Sequence, residues 1–180
     1  MSLLPFLNEH IQLVSLFWLF PVTFLFHDFE ELLTVEKWAT RHRDHLDDTL
    51  PDFFKKILGS SLRMNTLHFA KDVFAVYTII VVATGLAVFF HVYLLFLAAL
   101  HLYFLHVFTH VGQALYLKKY TPGVITAVFP VLPYSLYAYY RLLSEGVVGL
   151  GDLIWALILM LIIVPVALFL LIRGRNRYAG

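Results

Sequence analysis

The chain has no cysteine among its 180 residues, which removes disulfide frameworks, thiolate metal sites, iron–sulfur clusters and cysteine nucleophiles from consideration. Any metal it binds must be held by nitrogen and oxygen. Charge is scarce as well. Only 14% of residues are charged and the formal net charge is +1, so the basic attraction that marks nucleic-acid partners is missing. What fills the chain is apolar. With 61% hydrophobic residues and a mean hydropathy of +0.80, it can be neither a disordered segment nor an ordinary soluble domain. Leu153 to Ile172 runs without one charge and exceeds the about 18 apolar residues that mark a membrane span. Nine histidines in so apolar a chain are the feature that needs explaining.

The apolar stretch from Ile11 to Phe26 has no basic region before it and runs into His27-Asp28-Phe29-Glu30-Glu31 instead of a small-residue cleavage site. It reads as a retained span, not a signal peptide. Hydropathy then predicts an all-α, polytopic membrane helix bundle forming a single domain. Its five spans are Ile11–Leu33, His68–Phe90, Val92–Leu117, Val124–Leu143 and Leu153–Ile172. Pro21, Pro130, Pro133 and Pro165 should kink three of them and free carbonyls that neighbouring groups must satisfy. Residues 34–64 mix apolar and charged positions, with a helix start at Asp48-Thr49-Leu50-Pro51-Asp52. This segment reads as amphipathic helix lying on the membrane face, or as a lid over a site opening there. Five spans gather nearly every Lys and Arg on one side and leave Arg141 alone on the other. The N-terminus is therefore expected outside and the C-terminus in the cytoplasm, with a prokaryotic inner membrane as the expected location.

An ionisable group inside a span costs roughly 2.5–3.5 kcal/mol on insertion scales, so each is a candidate for function. Three helices carry such groups at three- and four-residue steps, the spacing of one helical face. They are His27, Glu30 and Glu31; then Asn65, His68 and Asp72; then Tyr103, His106, His110 and Gln113. A rise of about 1.5 Å per residue, counted from the basic flanks, puts His27 about 15 Å deep, Asp72 about 13 Å and His110 about 12 Å. These depths overlap. His101 lies about 180° around the helix from His110 and should bond a neighbouring helix instead. His10, His42, His45 and His91 fall at span ends or outside and should be solvated.

Imidazole and carboxylate without thiolate suit zinc, non-haem iron or manganese. A histidine with a ligand four residues later lets one helix give two ligands to one ion, as in the inverted zinc-protease motif. His27 with Glu31, and His106 with His110, have that step. The expected metal ligands are His27, Glu31, His68, Asp72, His106 and His110, with Glu30 handling protons, although the two glutamates can exchange roles. Asn65, Tyr103 and Gln113 would orient the ligands. The leading expectation is a metalloenzyme with a divalent ion, zinc before iron, acting on a membrane lipid or lipophilic small molecule. Hydrolysis by metal-activated water is preferred over di-iron oxidation. Two alternatives stand beside it: a proton-coupled or ion-translocating protein, and an assembly subunit whose polar cluster only pins helices together.

The His27-Asp28-Phe29-Glu30-Glu31 motif resembles that of the HXXEE family of small integral membrane proteins, named for it. A second segment, His106-Val107-Phe108-Thr109-His110 followed by Tyr120-Thr121-Pro122-Gly123 and Thr126, looks like the family's other signature. The resemblance implies a polytopic membrane fold with a shared polar site, and it implies no particular activity. Read locally, Tyr120, Pro122 and Gly123 form a turn, with Pro122 ending the preceding helix and Gly123 free to take positive φ.

Overall fold

A computed structural model describes residues 3–49 and 66–178, and these are helical apart from short connections. The segment 50–64 and Asn65 lie outside the described residues, as do the side chains of His45 and His68. Helix α1 is Leu3–His10, α2 is Leu13–Thr49, α3 is Thr66–Phe90 and α4 is Leu94–Leu117. A helical run made of Val124–Thr126, the π-helical turn Ala127–Val131 and Leu132–Ser144 forms α5, and α6 is Leu150–Tyr178. Among the described residues α2, α3, α4 and α6 are long and apolar enough to cross a membrane. The molecule is a helical membrane bundle.

The first span is longer than hydropathy suggested. Its helix does not stop near Leu33 but continues to Thr49, because Glu36, Lys37, Arg41 and Arg43 are good helix formers and no Gly or Pro interrupts the sequence there. The part of the 34–64 segment that is described, up to Thr49, is thus a continuation of α2 and not a separate interfacial helix.

The run that makes α5 is too interrupted to qualify as one uninterrupted spanning α-helix. Pro130 sits in its π-helical turn, where the missing N–H of proline is accommodated by a widened turn. Yet α5 covers the depth of the bundle. At one end Thr126 bonds Glu30; further along, the Tyr134 hydroxyl donates to the Leu16 carbonyl at 3.1 Å; at the other end Arg141 donates to the Ile11 carbonyl at 2.9 Å. The run is antiparallel to the stretch from Ile11 to Glu30 throughout. Tyr134 and Arg141, which as sequence suggest a belt facing the membrane interface, are buried between the two helices. Arg141 also bonds Tyr137 and Glu145, so its charge is satisfied inside the protein.

Helix α3 packs along α2, and α6 along α4. The seam between them is lined by Leu16, Phe17, Phe20 and Phe24 of α2, Phe96, Leu100, Tyr103 and Val107 of α4, and Ala127, Val131 and Ala138 of α5. Burying apolar area does little for association once a helix already sits in lipid, so close packing must hold the seam. Edge-on ring contacts such as Phe17–Phe96, with centroids 4.8 Å apart, contribute about 0.5–1.5 kcal/mol each. Outward, Phe74, Phe89, Phe129, Trp155 and Leu161 are exposed, as a lipid-facing surface requires. The buried spacing on α2 and α4 continues from these apolar residues into His27 and His110. The candidate site is the polar end of the apolar seam.

Candidate metal centre

Four of the expected ligands meet. His27 and Glu31 from α2, and His106 and His110 from α4, each offer one ligand atom within 4.8 Å of the other three. Glu31 Oε1 lies 3.1 Å from His110 Nε2 and 4.0 Å from His106 Nε2. The His27 ring stands edge-on to His110 at 4.9 Å and to His106 at 5.2 Å between centroids. Tetrahedral ligands at about 2.1 Å from one ion are about 3.4 Å apart, so to close on an ion the widest pairs of this cluster would draw together and His106 Nε2 and His110 Nε2, 2.8 Å apart, would spread.

The opposite nitrogens explain why these rings face inward. His110 Nδ1 is 3.0 Å from the Pro122 carbonyl, which can only accept, so Nδ1 carries the proton. His27 Nδ1 is 2.9 Å from Thr126 Oγ1, and that hydroxyl already donates to Glu30 Oε2 at 2.5 Å. His27 therefore donates as well. Thr109 Oγ1 donates to the His106 carbonyl at 2.7 Å and lies 3.3 Å from His106 Nδ1. His27 and His110 thus have Nδ1–H held by an oxygen and turn Nε2 toward the centre, the arrangement by which protein oxygens orient metal-binding histidines. His27 Nε2 is buried without a hydrogen-bond partner, and His110 Nε2 and His106 Nε2 stand 2.8 Å apart. Three imidazole nitrogens and a carboxylate oxygen facing one point could hold a metal ion.

Glu30 points elsewhere. Its carboxylate accepts from the Tyr120 hydroxyl at 2.7 Å, the Thr126 N–H at 2.8 Å and the Thr126 hydroxyl, with the Ile125 N–H at 3.4 Å. It satisfies the free N–H groups at the start of α5, where negative charge is favoured. Of the two adjacent glutamates Glu31 is the one that reaches the cluster and Glu30 clasps the opposing chain. Partial burial and the Glu30 carboxylate push the Tyr120 phenol above its ordinary range, so it stays a donor.

The turn between α4 and α5 closes the site. Lys118 at φ +51°, not Pro122, ends α4, and Gly123 takes φ +82° as expected. A Cβ on Gly123 would stand 2.6 Å from His110 Cε1 and 2.9 Å from Glu31 Oε1. The glycine is the wall of the centre.

Tyr103 is buried beneath His27, with ring centroids 6.2 Å apart. Gln113 is exposed, and Asp72 is half-buried on α3, outside the four-residue cluster. His101 bonds the Tyr139 hydroxyl and the Leu153 carbonyl, the neighbouring-helix role expected of it. Two residues had no role assigned from the sequence. Asp28 is buried with an unpartnered Oδ2, and Thr126 links Glu30 to His27. The place of Thr126 in the second signature segment and just inside a helix start after Gly123 marked the residue without showing its part.

His106 is the open member of the centre, with 41% of its side chain accessible against 6% for His110. It shares an exposed stripe of α4 with Leu102, Leu105 and Thr109, so the centre faces its surroundings from within a span.

A family model described as proteins of unknown function with an HXXEE motif matches residues 18–138. The chain belongs to this family, and its own HXXEE motif runs from His27 to Glu31. No curated protein and no solved structure matches the chain.

Proposed function

We propose that the protein is a membrane-embedded metalloenzyme holding one divalent ion through His27, Glu31, His106 and His110. The observation that carries this reading is the convergence of three imidazole nitrogens and one carboxylate oxygen. A purely structural network would pair its buried polar atoms, whereas His27 Nε2 faces the cluster without a hydrogen-bond partner. A single carboxylate within the cluster favours one ion over a carboxylate-bridged pair. The nitrogen-rich, thiolate-free donor set fits zinc, with iron as the alternative. A bound ion of this kind lowers the pKa of water enough to make it a nucleophile near neutral pH. The chain's residues do the rest: Glu31 would supply the carboxylate of the donor set, Glu30 and Thr126 hold His27 in orientation, and Tyr103 closes the apolar side. Hydrolysis of a lipophilic substrate is the reaction we assign, because the accessible edge of the centre at His106 lies on an apolar exposed stripe. By the distribution of Lys and Arg the centre lies toward the cytoplasmic face of a prokaryotic inner membrane, with the N-terminus outside.

Metal analysis of the purified protein, after loading with zinc or iron and exhaustive dialysis, tests the reading. The wild type should retain a single ion per chain, His110→Ala and Glu31→Ala should lose it, and Glu30→Gln should keep it. Acidification should release the ion, because protons compete for the imidazole nitrogens. A wild type that retains no stoichiometric metal refutes the proposal.

A further inference from the structure

Beside the centre, a groove of about 520 Å³ runs between the cytoplasmic end of α2 and the turn after α4, lined among others by Leu33, Lys37, Trp38, Arg41, Lys119 and Tyr120. Among the described residues no acidic side chain lines it. Among the described residues Lys37, Arg41 and Lys119 have no ion-pair partner. Two aromatic side chains hold its floor: Trp38 Nε1 donates to the Tyr120 carbonyl at 2.7 Å, and the Trp38 ring stacks on His42 with centroids 4.9 Å apart.

The α2 surface leading to the groove has a distinctive order. Phe26, Phe29 and Leu33 are exposed and follow one another at helical spacing, and the same stripe continues into Lys37 and Arg41. From Phe26 to Lys37 the stripe is about 16 Å long, close to half of a hydrocarbon core about 30 Å thick. It is one leaflet deep, apolar along its length and cationic at its end. A free phosphate would match the cations but leave the apolar stripe unexplained. A lipid with an anionic headgroup matches both.

We propose that this groove binds the phosphate headgroup of an anionic phospholipid, with an acyl chain lying along Phe26, Phe29 and Leu33. The site stands whether or not the neighbouring centre holds a metal. It is tied to that centre through Tyr120, whose carbonyl meets Trp38 and whose hydroxyl meets Glu30. A bound headgroup would therefore steady the turn that carries Pro122 and Gly123 against His110.

The test uses the full chain with Trp18→Phe and Trp155→Phe, leaving Trp38 as its single tryptophan, in vesicles containing brominated phosphatidylglycerol or brominated phosphatidylcholine. Trp38 should be quenched preferentially by the anionic lipid. The Lys37→Gln, Arg41→Gln, Lys119→Gln variant should lose that preference, about fivefold for each cation removed, while retaining the metal content of its parent. His110→Ala should retain the lipid preference, which separates failure of this site from failure of the metal centre. Equal quenching by the two lipids, or an unchanged preference in the triple variant, overturns the proposal. Displacement of the brominated lipid by soluble glycerol phosphate would assign the groove to a free phosphate and overturn it too.

Discussion

Replacing Gly123 by alanine should damage the centre from a position that offers no ligand. Two costs combine there. The residue holds φ at +82°, and a non-glycine residue in the left-handed region costs roughly 1–2 kcal/mol. The added methyl would meet His110 Cε1 at 2.6 Å, and ordinary contact begins at 3.4 Å, so the imidazole must retreat by about 0.8 Å. Crowding of this kind typically costs about 1–3 kcal/mol more. The total is about 2–5 kcal/mol of stability. The ring's displacement also exceeds the roughly 0.2 Å tolerance of metal–ligand distances, so affinity should fall about 10–100-fold, as when an orienting partner is lost. Gly146 is the internal control, with φ +66° and nothing within 4 Å of its would-be Cβ. Gly146→Ala should show the conformational cost alone and keep wild-type metal affinity. The assay is competitive metal titration against a fluorescent chelator, with thermal unfolding in the same detergent. If Gly123→Ala binds metal as tightly as Gly146→Ala and melts with it, the turn does not wall the centre and the geometric argument fails.

The bond between Tyr120 and Glu30 should be worth about 1.5–3 kcal/mol as a hydrogen bond to a charged group; a double-mutant cycle of Tyr120→Phe and Glu30→Gln on thermal stability measures it, and strict additivity would refute it. Topology is directly testable because the chain has no native cysteine to label. Ser144→Cys should react with a membrane-impermeant maleimide on intact cells and Lys119→Cys only after permeabilisation; the reverse pattern would invert the orientation.

Much of this arrangement could be read from spacing. Two ligands four residues apart on each of two spans, at overlapping depths, are enough to predict that His27, Glu31, His106 and His110 meet. Depth says nothing about direction around the helix axis, and Asp72 shows the consequence: it lies at a matching depth but on a helix whose packing keeps it out of the four-residue cluster. The division of labour between Glu30 and Glu31 was equally hidden. Adjacent residues on a helix point about 100° apart, and which one meets α4 and which meets the start of α5 depends on where those elements pack. Arg141 misled for a related reason. A cation near the end of an apolar run looks like an interfacial anchor, and only the neighbouring helix, with the Ile11 carbonyl and the Tyr137 hydroxyl, shows it to be internal.

The same packing bears on ion translocation, the strongest rival to a metal-binding role. A relay needs ionisable or hydroxylic groups at hydrogen-bonding steps from one face of the bundle to the other. From His27 to the level of Ile11 is about 24 Å along α2. That distance is filled largely by rings: Phe20 contacts Tyr103 at 5.1 Å and Phe96 at 5.4 Å between centroids, and Phe17 contacts Phe96 at 4.8 Å. His101 is committed to Tyr139 and Leu153. The buried charge at the far end, Arg141, is held by Ile11, Tyr137 and Glu145. The seam's buried hydroxyls include Tyr103, and Tyr134, which donates to the Leu16 backbone carbonyl; that step ends on an acceptor with no proton to pass on. Vesicles containing the purified protein should therefore show no proton flux above empty vesicles under an imposed pH gradient, and Glu30→Gln should change nothing. Flux that Glu30→Gln abolishes would mean that the aromatic seam opens, and the polar cluster would then be a gate and not a binding centre.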